Sequence, residues 1–90
     1  MVTRSSTGVY AISVAAEMVS MEIQNLRVYE RRGLIEPART AGGTRLYSEA
    51  DILVLRRIAE LLGDGLNLAG IRRVLELEAE LAVLRRRLRE

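Results

Sequence analysis

The chain has a single proline, Pro37, and it stands between two glycine signals, Gly33 before it and the Gly42-Gly43 pair after it. Proline has no backbone N–H and clashes with the carbonyl four residues back, so no helix passes through it. The preceding residue, Glu36, is pushed toward extended backbone. Any fold must therefore set helical segments on either side of a short non-helical insert. Upstream, a helix over residues 22–32 is predicted from Ile23, Leu26 and either Tyr29 or Glu30 on one side. Gln24, Asn25, Arg27, Arg31 and Arg32 lie on the other, and Gly33 sits in the position after the helix end.

Ahead of it, Val9–Ile12 reads as a short strand or extended lead-in. Ser13 is the expected cap of a first short helix whose apolar face is Val14, Ala15 and Met18. A tight turn at Val19–Met21 joins the two into a helix-turn-helix. Beyond Pro37, two short strand-like runs, Ala38–Thr40 and Arg45–Tyr47, flank Gly42-Gly43 and predict a β-hairpin. Ser48 with Asp51 forms an expected capping box for a third helix. Its apolar positions are Ile52, Leu55, Ile58, Ala59 and Leu62, and Gly63-Asp64-Gly65 ends it. Helix, turn, helix, glycine-tipped hairpin and supporting helices make a mainly α, winged helix-turn-helix architecture.

Composition excludes much chemistry. Cys and His are absent, so no thiolate or imidazole metal site and no Ser/His/Asp or Cys/His catalytic set can be built. The expectation is a protein that is not an enzyme and needs no cofactor or metal. No apolar run is long enough for a membrane span, and the first residues lack the apolar core of a secretory signal, so a cytoplasmic, nucleoid-associated protein is expected. All fourteen basic residues are Arg, and the +2 net charge lies wholly in residues 1–48. Between Arg27 and Tyr47, five arginines face only Glu30 and Glu36. Arg offers phosphate a planar fork of donors, so this stretch suits a polyanion.

The last helix is expected to start at an Asn67 cap, with Ile71 and Leu75 packing back onto the domain. From there Val74, Leu77, Leu81, Leu84 and Leu88 recur at alternating spacings of three and four, a heptad seam. Residues 76–90 would reach about 22 Å, farther than so small a core needs. With only three aromatic residues and no disulfide, a chain this short gains stability from association, so a homodimer is expected. Charge matching allows either strand direction: Arg73 with Glu78′ and Glu80 with Arg85′ if parallel, Glu78 with Arg85′ if antiparallel. The expected organisation is a flexible tail at 1–8, a winged helix-turn-helix at 9–66, and a C-terminal dimerisation helix at 67–90.

The ordered set Leu26-Arg-Val-Tyr-Glu-Arg-Arg-Gly-Leu-Ile-Glu-Pro37, Arg39, Gly42-Gly43, Arg45, Tyr47-Ser48 and Asp51 resembles the DNA-binding domain of MerR-family transcription regulators. Ala11–Glu17 and Gly65–Glu78 are similar to the HspR-like, heat-shock-repressor branch of that family. The sequence departs from the family pattern at Ser20, where the turn often carries Gly, and at Leu46, where a second basic wing residue is common. The resemblance implies a repressor of chaperone genes that binds double-stranded DNA at an inverted repeat, an antiparallel dimer, and a chaperone such as DnaK as co-repressor.

For the site, Glu22, Gln24 and Asn25 lie at the start of the helix expected in the major groove, where side chains reach base edges. The resemblance assigns Arg27 and Tyr29 to DNA contacts, and Arg39, Thr44, Arg45 and Tyr47 to the wing. Duller roles stand beside these: Tyr29 as core, Arg31 and Arg32 as solvated charges at a helix end, and Glu30 as partner of a neighbouring arginine. Rival readings are an architectural protein on direct repeats and a helical protein-interaction module.

Overall fold

The computed structural model describes residues 8–89. It contains α1 (Ile12–Met18), α2 (Ile23–Arg31), β1 (Ala38–Arg39), β2 (Arg45–Leu46), α3 (Glu49–Gly63) and α4 (Leu68–Leu88). Helix α1 packs on α2 and α3 on α4, with the antiparallel hairpin between the pairs. The architecture is mainly α with a small wing.

Three helices end by one device. In each, a left-handed residue follows the last turn, and its own N–H and that of the next residue fold back onto carbonyls of that turn, satisfying groups that a helix end leaves unpaired. After α2, the N–H groups of Gly33 (φ 77°) and Leu34 bond to the Glu30 and Tyr29 carbonyls at 3.0 and 2.9 Å. After α3, those of Gly65 (φ 90°) and Leu66 bond to the Leu62 and Leu61 carbonyls at 2.9 and 3.1 Å. After α1 the left-handed residue is Ser20 (φ 55°), with N–H groups of Ser20 and Met21 on the Glu17 and Ala16 carbonyls at 3.2 and 3.0 Å. This last motif makes the tight turn of the helix-turn-helix.

The helix starts differ from expectation at α1. Its cap is Ala11, whose carbonyl accepts the Ala15 N–H at 2.9 Å, and Ser13 lies inside the helix. The cause is upstream: Tyr10 and Tyr47 form an antiparallel bridge, with the Tyr47 N–H on the Tyr10 carbonyl at 2.7 Å, and the chain turns into the helix directly after it. Of the expected face only Ala15 is buried, together with Ala16, while Val14 and Met18 are exposed. The expected caps of α3 and α4 are present. Ser48 Oγ accepts from the Asp51 N–H at 3.0 Å while Asp51 accepts from the Ser48 N–H at 2.9 Å, and Asn67 Oδ1 accepts from the Gly70 N–H at 2.8 Å.

The core joins Ala15, Leu26, Ile52, Leu55, Ile58 and Ile71 around the fully buried Tyr47. On α3 the last core position is Leu61 and not Leu62, because the Gly65 turn carries Leu66 back against the domain. The expected tail, residues 1–8, lies outside the described residues except for Gly8. That glycine sits hard against β2: a Cβ there would stand 2.5 Å from both the Leu46 Cβ and its carbonyl oxygen.

Candidate nucleic-acid interface

Helix α2 buries Leu26 and Tyr29 and leaves Glu22, Gln24, Asn25 and Arg27 exposed. Gln24, Arg27 and Arg31 stand at i, i+3 and i+7, which places them on the face opposite Leu26. Arg31 thus joins the outward row, although its place at a helix end gave it an ordinary solvated role in the sequence.

The wing is a three-residue loop closed by two backbone bonds: Gly43 N–H to the Thr40 carbonyl and Thr40 N–H to the Thr44 carbonyl, each 2.9 Å. Gly43 (φ 86°) takes the left-handed position such a hairpin requires, which explains a glycine there. Thr44 is a turn residue, its N–H bonded to Thr40 Oγ1 at 3.1 Å, and its side chain is exposed. Register pairs Arg39 with Arg45 and Ala38 with Leu46. Two arginines directly opposite each other on one face repel unless a countercharge intervenes.

Glu30 supplies that countercharge. One of its carboxylate oxygens accepts from Arg45 Nε and the other from Arg39 Nη2, while Arg39 Nη1 also donates to the Gly43 carbonyl at 2.8 Å. Burial resists ionisation of Glu30, but the hydrogen bonds and charges of Arg45 and Arg39 outweigh it and hold the carboxyl below the usual carboxylate range. Arg45 engages through Nε alone, so both of its terminal nitrogens keep their donors free of Glu30. The carboxylate thus joins the α2 face to the wing in one charged surface. Sequence pairing of Glu30 with a nearby arginine was correct in kind, but its partners lie nine and fifteen residues away across the hairpin. Nothing in the periodicity of α2 signals so distant a pairing.

Two predicted contacts lie elsewhere. Tyr47 is 0% exposed, and its hydroxyl is buried with no hydrogen-bond partner among the described residues. Tyr29 is 5% exposed and belongs to the same core. Both are core aromatics in this structure, and burial pushes both phenols up in pKa. The reason is scarcity. A chain without Phe or Trp must build its core bulk from tyrosine.

The C-terminal stripe is open. Val74 and Leu75 are half-buried against the domain, whereas Leu77, Leu81, Leu84 and Leu88 are 46, 43, 54 and 87% exposed. The base of this helix is pinned to α3 by Arg57, which donates to Glu78 at 2.7 Å and to Glu60 at 2.8 Å. Glu78, expected to pair between protomers, therefore has a nearer partner within its own chain. Arg73 likewise reaches Glu76 at 3.3 Å, one turn away.

An exposed polar helix face, a basic wing locked beside it and a helix-turn-helix scaffold define a winged helix-turn-helix protein of the DNA-binding class. Residues 10–78 match the MerR HTH family regulatory proteins, and the chain belongs to that family. It is 51% identical over 85 residues to a Streptomyces coelicolor protein assigned as heat shock protein HspR, covering 93% of this chain and 56% of that one. Against the regulator TnrA of Bacillus subtilis it is 40% identical over 63 residues, covering 70% of this chain and 57% of that one. The chain thus spans little more than half the length of these relatives.

Solved structures agree. HiNmlR, a MerR family regulator lacking the sensor domain and solved bound to promoter DNA, superposes with a TM-score of 0.71 at 25% identity, over 89% of this chain and 67% of that one. The N-terminal part of the Bacillus subtilis multidrug transporter activator MtaN gives 0.71 at 27% identity, over 90% and 86%. The relatives and structural neighbours of this MerR-family chain are transcriptional regulators rather than enzymes. Among the described residues no helix is long and apolar enough to cross a membrane.

Proposed function

We propose that this protein is a dimeric repressor of heat-shock or chaperone genes that binds an inverted repeat. The observation that carries the reading is the 51% identity to the HspR-assigned relative over 93% of the chain. Residues 9–66 form the DNA-binding unit. Helix α2 enters the major groove, where Gln24 and Asn25 read base edges and Glu22 lies at the mouth. Arg27 and the wing residues Arg39, Thr44 and Arg45 hold the backbone and set the register. Residues 67–90 carry the dimer seam, supported by the four exposed leucines of α4. Two-fold symmetry of the protein then matches two-fold symmetry of the operator. The protein acts in the cytoplasm, at the nucleoid, with a chaperone such as DnaK as co-repressor.

Selection of bound sequences from a random duplex pool tests this directly, because it reports specificity, half-site symmetry and spacing together. The expected product is an inverted repeat, bound more tightly than its scrambled counterpart at about 150 mM salt, where specific sites outcompete non-specific ones by orders of magnitude. Adding purified DnaK is expected to tighten that complex. Equal affinity for scrambled DNA would overturn the reading, and direct repeats in the selected pool would replace the symmetric dimer with an array.

A further inference from the structure

Two arginines facing each other on a two-stranded wing could serve DNA binding without any help, since phosphate would separate their charges. Here a carboxylate from the recognition helix already does so. Glu30 is exposed by only 18%, each of its oxygens is used, and its partners sit on both strands of the hairpin. Nothing else described in the structure ties the wing to α2 by a side-chain hydrogen bond. The cost of the arrangement is one negative charge held within a surface built to meet phosphate.

We propose that Glu30 is a specificity-setting positioning residue, which fixes the wing arginines relative to the base-reading face of α2 and masks one of their two charges. The proposal rests on the DNA-binding reading above. Masking lowers affinity for arbitrary duplex, because non-specific binding is set by the number of phosphates a protein neutralises. Positioning keeps affinity for the operator, because Arg45 is anchored through Nε with its terminal nitrogens still available to a phosphate at one defined place. Glu30 therefore acts on the ratio of the two affinities and not on either alone.

The test measures binding of the full chain to its selected operator and to a scrambled duplex between 50 and 200 mM salt, for the wild type, Glu30→Gln, Arg39→Gln and Glu30→Gln/Arg39→Gln. Circular dichroism verifies that each variant is folded at the assay temperature. In Glu30→Gln the scrambled duplex is expected to bind more tightly, with a slope of log K against log salt steeper by about 1, and the operator-to-scrambled ratio is expected to fall. The double variant restores the net charge, so its slope returns to the wild-type value, while its ratio stays below that of Arg39→Gln alone, which lacks the same wing contact but keeps Glu30. That separation of charge from geometry is one a merely structural role would not produce. An unchanged ratio in Glu30→Gln, whether both affinities move together or neither moves, overturns the proposal and leaves the repressor reading standing. A wild-type protein that shows no preference for its operator overturns both.

Discussion

Glu30 of α2 and Arg45 of the wing are joined by an ion pair that spans fifteen residues of chain. Because Arg45 and Arg39 hold the Glu30 carboxyl below its ordinary range despite partial burial, its charged form is favoured in the folded state. Such a group adds stability above the ordinary carboxylate pKa, and that stability is lost as pH falls through the depressed folded value. Thermal melts between about pH 6 and pH 3, bracketing the ordinary Glu value near 4.3, are expected to show Glu30→Gln less stable than wild type at the upper end. The difference should shrink as pH falls through the depressed folded value, where Glu30 takes up its proton. Parallel curves would show that the pair contributes nothing to folding.

Ser20 occupies a left-handed position, φ 55°, that closes α1 into the turn before α2. For a residue with a Cβ that region costs about 1–2 kcal/mol, partly offset by the greater freedom glycine loses on folding. Ser20→Gly is expected to stabilise the protein by about 0.5–1 kcal/mol, read as a higher melting temperature with unchanged helix content. The converse change at Gly33 or Gly65, both left-handed, should destabilise when Ala is introduced.

Tyr47 carries a buried hydroxyl with no partner among the described residues. Removing an unsatisfied polar atom from a core while keeping the ring relieves a desolvation penalty. Tyr47→Phe is therefore expected to be neutral or to stabilise by up to about 1 kcal/mol, while Tyr47→Ala should cost about 3–5 kcal/mol, as large-to-small changes in cores do. Chemical denaturation distinguishes the three proteins. A Tyr47→Phe protein that lost operator affinity with its stability intact would return the hydroxyl to the DNA interface.

What was legible in the sequence follows the range over which each signal acts. Gly33, Gly43 and Gly65 are local signals, and each marks its turn as expected. The Ser48–Asp51 box and the Asn67 cap are equally local, and both are present. Ser13 failed as a cap because a bridge between Tyr10 and Tyr47 set where α1 begins, and no window around Ser13 contains that information. Tyr29 was expected at the DNA through the family resemblance, with a core role beside it, and Tyr47 beside the wing arginines; a core short of aromatic residues had the stronger claim on both. The polar face of α2 and the arginines of the wing were readable, and Glu30 as the link between them became specific only in three dimensions.

Leu81 and Leu84 are 43 and 54% exposed on the part of α4 that extends past the domain. Neither belongs to the core or packs against it, so replacing both with Glu should leave the fold of a single protomer intact. If they form a seam between two protomers, each has about half a leucine side chain still to bury, worth about 1 kcal/mol. Four such side chains per dimer give about 4 kcal/mol, or about a thousandfold in Kd. Leu81→Glu/Leu84→Glu is therefore expected to sediment as a monomer at micromolar concentration with wild-type far-ultraviolet circular dichroism. Its affinity for an isolated half-site should be unchanged, and the advantage of the full inverted repeat should vanish. A variant that still sediments as the wild type does would place the interface elsewhere on the chain. A wild-type protein that is itself monomeric would leave the exposed stripe of α4 to a different partner.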